Sequence, residues 1–346
     1  MSSQNYFYNL KQCMLIAEIG VNHNGDMELA KEMIIAAKEA GADAVKFQTF
    51  KAETLVSRGT RKVKYQESTT SPHESHFDMI QNLELSRRNH FLLKDYCDSN
   101  SIHFLSTPYD IESAKFLNES LDVEIFKTAS ADLVDLPLHK YIASTGKPSI
   151  VSVGMATMGE IEQNLIVYNA TSLRNVILLH CVSNYPCADA SLNLLVLNTL
   201  KQAFQLPVGY SDHSVGCDAA VLSIAFNSKV IEKHFTLDKS LPGPDHLASS
   251  TPDEFKNLAD AVRRAEKMLG SPIKNCQDEE RQMAEVSRKS IVMKKSVKAG
   301  TTLTSKNLCL KRPGTGLHAN FLPKVKGLKL SVDKNMDELL NLTDFH

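Results

Sequence analysis

Seven cysteines occur in this chain, an odd number, and no two of them form a Cys-x-x-Cys pair. Neither a disulfide framework nor a zinc cluster is therefore expected, and a reducing compartment is indicated. Cys97 and Cys181 lie inside apolar runs, where buried thiols are common. No apolar run approaches the roughly 20 residues that cross a bilayer. Met1 to Gln12 is polar and aromatic, without a basic n-region or an apolar h-region, so it does not read as a signal peptide. The expectation is a soluble, cytoplasmic protein. Net charge is also missing: 39 Lys and Arg against 40 Asp and Glu give -1. No global field then draws nucleic acid or an acidic membrane, and any anion site must be local. The glycines give neither GxGxxG nor GxxxxGK(S/T), and there is no GxSxG elbow. Basic residues do not interleave with an aromatic platform, which sets nucleic-acid binding aside.

What is present is a repeated pattern. Eight short apolar runs read as strands: Met14–Gly20, Ala44–Phe50, His103–Tyr109, Val123–Ser130, Ser149–Met155, Val176–Ser183, Val208–His213 and Val230–Thr236. All are rich in Val, Ile, Leu or Phe, as strands buried on both faces require. Helical patterns lie between them. Met27, Ala30, Met33, Ile34 and Ala37 form one apolar stripe, stopped by Gly41. Thr157 with Glu160, and Thr251 with Glu254, spell capping boxes, the second with Pro252 at the first helical position. Its stripe runs from Phe255 to Leu269 and ends at Gly270. Eight strands alternating with helices predict a (β/α)8 barrel over residues 1–270, with a doubly wound open sheet as the alternative. A barrel of ~250 residues leaves about a quarter of the 346 over. The remainder reads as a polar linker, 271–286, and a compact β-rich module, 287–346. Between Lys51 and Leu85 there is little periodicity, and a loop of that length after a strand is read as a lid.

The strand ends are polar, and parallel barrels place their chemistry there. They read Glu18, Lys46-Phe47-Gln48, Ser106-Thr107, Lys127 to Ser130, Ser152, Ser183-Asn184-Tyr185, Ser211-Asp212-His213 and Glu232-Lys233-His234. Alternation puts Lys46 with Gln48, Ser211 with His213, and Glu232 with His234 on one face each. Neighbouring seventh and eighth strands would bring His213 and His234 close enough to share a divalent cation, although a lone His near a strand end is more often a hydrogen-bonded core residue. Lys46 and Lys127, at the ends of apolar strands, each need an anion. They read either as ion-pair partners of Glu18 or Asp132, or as a phosphate and carboxylate clamp with Ser106, Thr107, Ser130, Ser152 and Ser211.

Six ordered motifs closely resemble the sialic acid synthase family: Ala17 to Gly25, Val45 to Phe50, Ser106 to Pro108, Tyr210 to Ser214, Glu232 to Asp238, and Gly243 to His246. The tail Lys311 to Gly316 resembles that family's C-terminal antifreeze-like (SAF) domain. The resemblance implies a TIM barrel joining phosphoenolpyruvate to an open-chain N-acetylated amino sugar, with release of phosphate and a nine-carbon 2-keto acid. It implies a divalent metal, Mn2+ or Mg2+, on His213 and His234. Lys46, Gln48, Thr107, Lys127, Ser130, Ser152 and Ser211 would hold phosphoenolpyruvate, and Glu18, Tyr185, Asp245 and Arg312 the sugar. Glu18, Glu232 and Asp132 would be the catalytic carboxylates. The family's Ser-Gly-Glu/Asp is Ser130-Ala131-Asp132 here, and its Ser-Thr-Gly-Met is Ser152-Val153-Gly154-Met155. The Glu18-to-Gly25 opening is similar to the sialate (N-acetylmannosamine) and N,N'-diacetyllegionaminate branches rather than the pseudaminate branch. A homodimer follows from the resemblance, with each SAF domain bringing Arg312 to its partner's site. Two other readings stand beside it, a Schiff-base aldolase using Lys127 or Lys46 and a non-catalytic carbohydrate-binding barrel.

Overall fold

The computed structural model describes residues 5–62, 66, 70, 73–168 and 172–345. The chain forms two compact units, Met1–Gly270 and Ser271–His346. In the first, eight parallel strands are β1 (Met14–Gly20), β2 (Ala44–Thr49), β3 (His103–Pro108), β4 (Phe126–Thr128), β5 (Ser149–Ser152), β6 (Val176–His180), β7 (Val208–Asp212) and β8 (Val230–His234). Their ladders run β3-β2-β1-β8-β7-β6-β5-β4. First and last strands are therefore hydrogen-bonded neighbours, Met14 opposite Val230 and Glu18 opposite His234. β3 and β4 meet at the remaining seam. This is a (β/α)8 barrel, and the open-sheet alternative falls.

β1 has the expected bounds, and the other seven strands end earlier at their carboxyl ends than the apolar runs suggested. β4 stops at Thr128, after which Ser130–Asp132 turns into a 3-10 helix. Outside the barrel, the helix Met27–Glu39 buries Ala30, Met33, Ile34 and Ala37, with Asp26 capping its first turn. Both capping boxes form, Thr157 with Glu160 and Thr251 with Glu254.

Inside, alternation makes layers. Met14, Ile16, Ala44, Leu105, Ile125, Ile150, Ile177, Leu179 and Val230 form one apolar floor. Gly209 belongs at this level because a Cβ there would come within 2.5 Å of Leu179 Cδ2. The floor is plugged from the N-terminus. Phe7, in the turn Tyr6–Asn9, is fully buried, and Asn5 Nδ2 donates to Val176 O at 2.8 Å. Two residues further along, the inward positions become Glu18, Lys46, Thr107, Lys127, Ser152, Ser211 and Glu232 on seven of the strands and Cys181 just past β6, a polar layer.

The segment after β2 is not a bare loop. It contains the helices Ala52–Leu55 and His76–Asn82, each too short to show periodicity, with Phe77 and Met79 buried. Residues 63–65, 67–69 and 71–72 of the expected lid lie outside the described residues. Glu84 ties its base by accepting from Lys51 Nζ and Ala52 N, both at 2.6 Å. In the second unit, Ser290–Met293 and Leu308–Lys311 pair antiparallel over Ile291, Met293, Leu303, Leu330 and Leu340. The polar stretch read as a linker includes a helix, Arg281–Ser287. Among the described residues no helix is long and apolar enough to cross a membrane. The near-zero net charge conceals an asymmetry: residues 271–346 hold 14 Lys and Arg against eight Asp and Glu.

Candidate active site

Above the polar layer opens a cavity of ≈ 850 Å³ at the carboxyl ends of the strands. Its floor is a chain of alternating charges. Lys46 Nζ lies 2.9 Å from Glu18 Oε2 and 3.6 Å from Glu232 Oε2, and Lys127 Nζ lies 3.5 Å from Glu232 Oε1. Lys46 also donates to Thr107 Oγ1 at 3.0 Å, and Lys127 to Ser152 Oγ at 2.7 Å. Ser211 Oγ donates to Glu232 Oε1 at 3.0 Å, and Gln48 Nε2 to Glu18 Oε1 at 3.2 Å. Lysine–carboxylate pairing thus occurs. Lys46 takes Glu18 as one partner, but Lys127 takes Glu232 rather than Asp132.

Burial sets the protonation of this floor. Desolvation pushes the Glu18 carboxyl up, and the Glu232 charge adds to it, against the pull of Lys46. Glu232 feels the same desolvation, but Lys127, Lys46 and the Ser211 hydrogen bond outweigh it and hold it low. For Lys127, loss of water wins over Glu232 and its pKa falls. Glu18 Oε2 and Glu232 Oε2 are buried without an aligned hydrogen bond, even though Lys46 is within charge contact of both. Acceptor capacity therefore remains open toward the cavity.

The two histidines sit on the next inward level. Their ring centroids are 5.7 Å apart, and Tyr185 stacks on His213 at 4.2 Å. His213 Nδ1 lies 2.8 Å from Val182 O, which makes it the protonated nitrogen and leaves Nε2 with its lone pair. His234 Nδ1 is buried without a hydrogen-bond partner, 4.0 Å from Asp245 Oδ2. Desolvation lowers both imidazole pKa values, with the charge of the neighbouring His213 adding at His234. Neutral imidazoles with a free lone pair are the metal-ligating form. This pair fits a divalent cation whose other ligands come from substrate or water, since no three His, Cys, Asp or Glu among the described residues converge as a full ligand set.

Other expected residues divide. Tyr185 and Asp245 line the cavity, and burial raises the Asp245 carboxyl to about 6. Ser130 lines it too, accepting from Gly154 N at 3.0 Å. A Cβ on Gly154 would meet Ser183 Oγ at 2.6 Å, so only glycine lets these loops approach. Thr107 accepts from Lys46 and keeps its own hydroxyl proton to donate. Ser106 does not belong to the clamp: with Thr107 inward it faces outward, bonded to Thr49 Oγ1 at 2.6 Å. Asp132, in the turn after β4, is not among the cavity-lining residues. Desolvation and Asp135 push its carboxyl up to about 7. Arg312 lies in the second unit, just after the strand Leu308–Lys311. Cys181 went unread as a site residue. It stands in the polar layer, 3.0 Å from Ser130 Oγ, and its signal was its place two residues after Leu179.

The NeuB family model matches residues 33–274. An N,N'-diacetyllegionaminic acid synthase of Legionella pneumophila is 44% identical over 93% of this chain and 91% of its own. One from Campylobacter jejuni is 43% identical over 96% and 99%. A solved N-acetylneuraminic acid (sialic acid) synthetase from Leptospira borgpetersenii, in complex with citrate, superposes with a TM-score of 0.70 at 34% identity, covering 80% of this chain and 91% of its own.

Proposed function

The chain belongs to the NeuB family, and from that membership we propose that it is a nonulosonic acid synthase condensing phosphoenolpyruvate with an open-chain N-acetylated amino sugar. The observation that carries this reading is the charged floor. Two lysines there share one firmly ionised carboxylate, Glu232, and a second, Glu18, that readily takes a proton. With Glu18 protonated, the floor has one positive charge in excess and accepts an anion. The phosphate and carboxylate of phosphoenolpyruvate would rest on Lys46 and Lys127, with Gln48, Thr107, Ser130, Ser152 and Ser211 supplying neutral hydrogen bonds. Tyr185 and Asp245 face the sugar.

His213 and His234 would hold a divalent cation, Mn2+ or Mg2+, which supplies Lewis acidity toward an aldehyde oxygen when bound. The chain's own groups do the rest. Attack by the methylene carbon of phosphoenolpyruvate on the aldehyde leaves positive charge at the adjacent, phosphate-bearing carbon, which Glu232 would stabilise. Glu18 manages the proton of the water that adds there, and phosphate leaves from the tetrahedral intermediate. Asp132 has no direct part in this arrangement. A diacetamido sugar is the alternative acceptor to an N-acetylmannosamine type, supported by the two relatives above.

For the assembly we propose a homodimer in which the antifreeze-like (SAF) unit, residues 287–346 after the 271–286 linker, brings Arg312 to the partner's cavity. The basic balance of that unit supports it. So does the apolar rim of exposed Val134, Met155, Leu195, Val215 and Leu247 on loops following the strands. Buried thiols and use of phosphoenolpyruvate fit the cytoplasm. The test is phosphate release from phosphoenolpyruvate against a panel of N-acetylated hexosamines, with EDTA and borohydride arms. Abolition by EDTA without borohydride trapping is the expected result. Trapping through Lys127 with EDTA resistance would favour an aldolase.

A further inference from the structure

The polar ends of β7 and β8 carry two residues that the chemistry above leaves unused, Asp212 and Lys233. Ser211 and His213, like Glu232 and His234, point inward, so Asp212 and Lys233 face away from the cavity, and neither lines it. They are Cα partners across the β7–β8 ladder, and both side chains are almost wholly buried. Lys233 Nζ donates to Asp212 Oδ2 at 2.7 Å and to Ser214 O at 2.8 Å. The other carboxylate oxygen, Asp212 Oδ1, accepts from Ser214 N at 2.9 Å and from Ser214 Oγ at 2.6 Å. One ammonium group thus holds the residues on both sides of His213, and it belongs to the residue immediately before His234.

We propose that Asp212 and Lys233 are positioning residues for the imidazole pair, a clasp on the outer face of the barrel that fixes the separation of His213 and His234 in advance of metal binding. The inference rests on the metal-dependent synthase reading above. Two imidazoles on different strands hold one cation well only when their spacing is set beforehand, because ordering them at the moment of binding costs entropy. The rings stand 5.7 Å apart, and only one of them is held through its side chain: His213 Nδ1 meets Val182 O, whereas His234 Nδ1 has no hydrogen-bond partner. His234 therefore depends on its backbone for placement, with Ser250 N donating to its carbonyl at 2.8 Å and Lys233 anchoring the residue before it. A buried ion pair adds little net stability over apolar packing of the same shape. What this pair adds is direction, since all of its hydrogen bonds end on 212–214 and close that segment into a turn around His213.

The experiment is equilibrium dialysis of the full chain against Mn2+ alone, for wild type and for the double variant Asp212→Asn with Lys233→Met. The pair of changes removes both charges and strands neither, and the amide keeps an acceptor for Ser214 N. Mn2+ binding should weaken by roughly 10- to 100-fold, while the far-ultraviolet circular dichroism and the metal-free affinity for phosphoenolpyruvate stay those of wild type. Undiminished Mn2+ affinity in the folded variant overturns the clasp and leaves the synthase reading standing. No Mn2+ binding by wild type, with or without phosphoenolpyruvate, removes the metal role of the histidines and the clasp with it. Hydrogen exchange of wild type, read by mass spectrometry on peptides spanning 211–215, needs no variant. The Ser214 amide should be protected without metal and should not slow further when Mn2+ is added. Slowing on Mn2+ addition would show that the cation orders the segment, and would overturn the proposal even if the double variant fails to fold.

Discussion

Lys127 and Glu232 form a fully buried pair, Nζ to Oε1 at 3.5 Å, joining β4 to β8 across the floor of the barrel. Glu232 also lies 3.6 Å from Lys46, as that lysine's second carboxylate beside Glu18 at 2.9 Å. Removing it strands the Lys127 ammonium in a desolvated site, while Lys46 keeps Glu18.

Glu232→Gln is therefore expected to lower stability by ~3–5 kcal/mol, the cost of stranding buried charge. Phosphoenolpyruvate, which restores an anion, should raise the Tm of this variant more than that of wild type. Thermal melts with and without phosphoenolpyruvate decide it. Equal ligand shifts in both proteins would mean the lysines do not face the anion.

His213→Ala and His234→Ala should each weaken Mn2+ binding by at least tenfold, read by equilibrium dialysis, with turnover collapsing alongside. The far-ultraviolet circular dichroism should stay that of wild type. Unchanged Mn2+ affinity in both variants would return these residues to simple core histidines.

Stability should fall on mild acidification, and one residue isolates a share of it. Burial lowers the imidazole pKa of His139 to about 4, against an ordinary value of 6.5. The folded value is depressed, so the stabilising effect is complete above pH 6.5 and is lost as pH falls toward 4, where only the unfolded chain takes the proton. The slope is up to ~1.4 kcal/mol per pH unit. Asp132 and Asp245, raised by burial to about 7 and about 6, bend the total curve the other way. The readout is consequently the difference between wild type and His139→Gln in urea midpoints from pH 7 to 5. Wild type should lose more stability, and parallel curves would contradict the depressed pKa.

Mixing Arg312→Ala chains with His213→Ala chains tests the assembly. If sites are completed by the partner, the heterodimer regains one intact site of two. No recovery after confirmed subunit exchange would rule that arrangement out.

The barrel and most of its floor were legible because both rest on a period of two. Once Ala44 or Ile125 is inward, Lys46 and Lys127 must be inward as well. The same rule would have excluded Ser106 beside Thr107, and would have admitted Cys181. Asp132 escaped because the period fails where β4 turns into a 3-10 helix after Thr128. Phe7 escaped for a different reason: one aromatic in a polar stretch gives no pattern until the barrel floor it plugs exists. The helices within 51–85, four and seven residues long, span too few turns to show an apolar stripe. That shortness concealed the apolar cluster of Phe50, Met79 and Leu83.

Carbon–carbon bond formation from phosphoenolpyruvate is the activity proposed for this floor. The full chain is incubated with Mn2+, phosphoenolpyruvate and, in separate samples, N-acetylmannosamine or a diacetamido sugar, and inorganic phosphate and the 2-keto acid are followed together by 31P and 1H NMR. With the acceptor that is used, a nine-carbon keto acid is expected one-for-one with phosphate, and both are expected to be lost in Lys46→Ala and Lys127→Ala at moderate phosphoenolpyruvate. Phosphate without a condensed product, or product formation undiminished in both lysine variants, would contradict it.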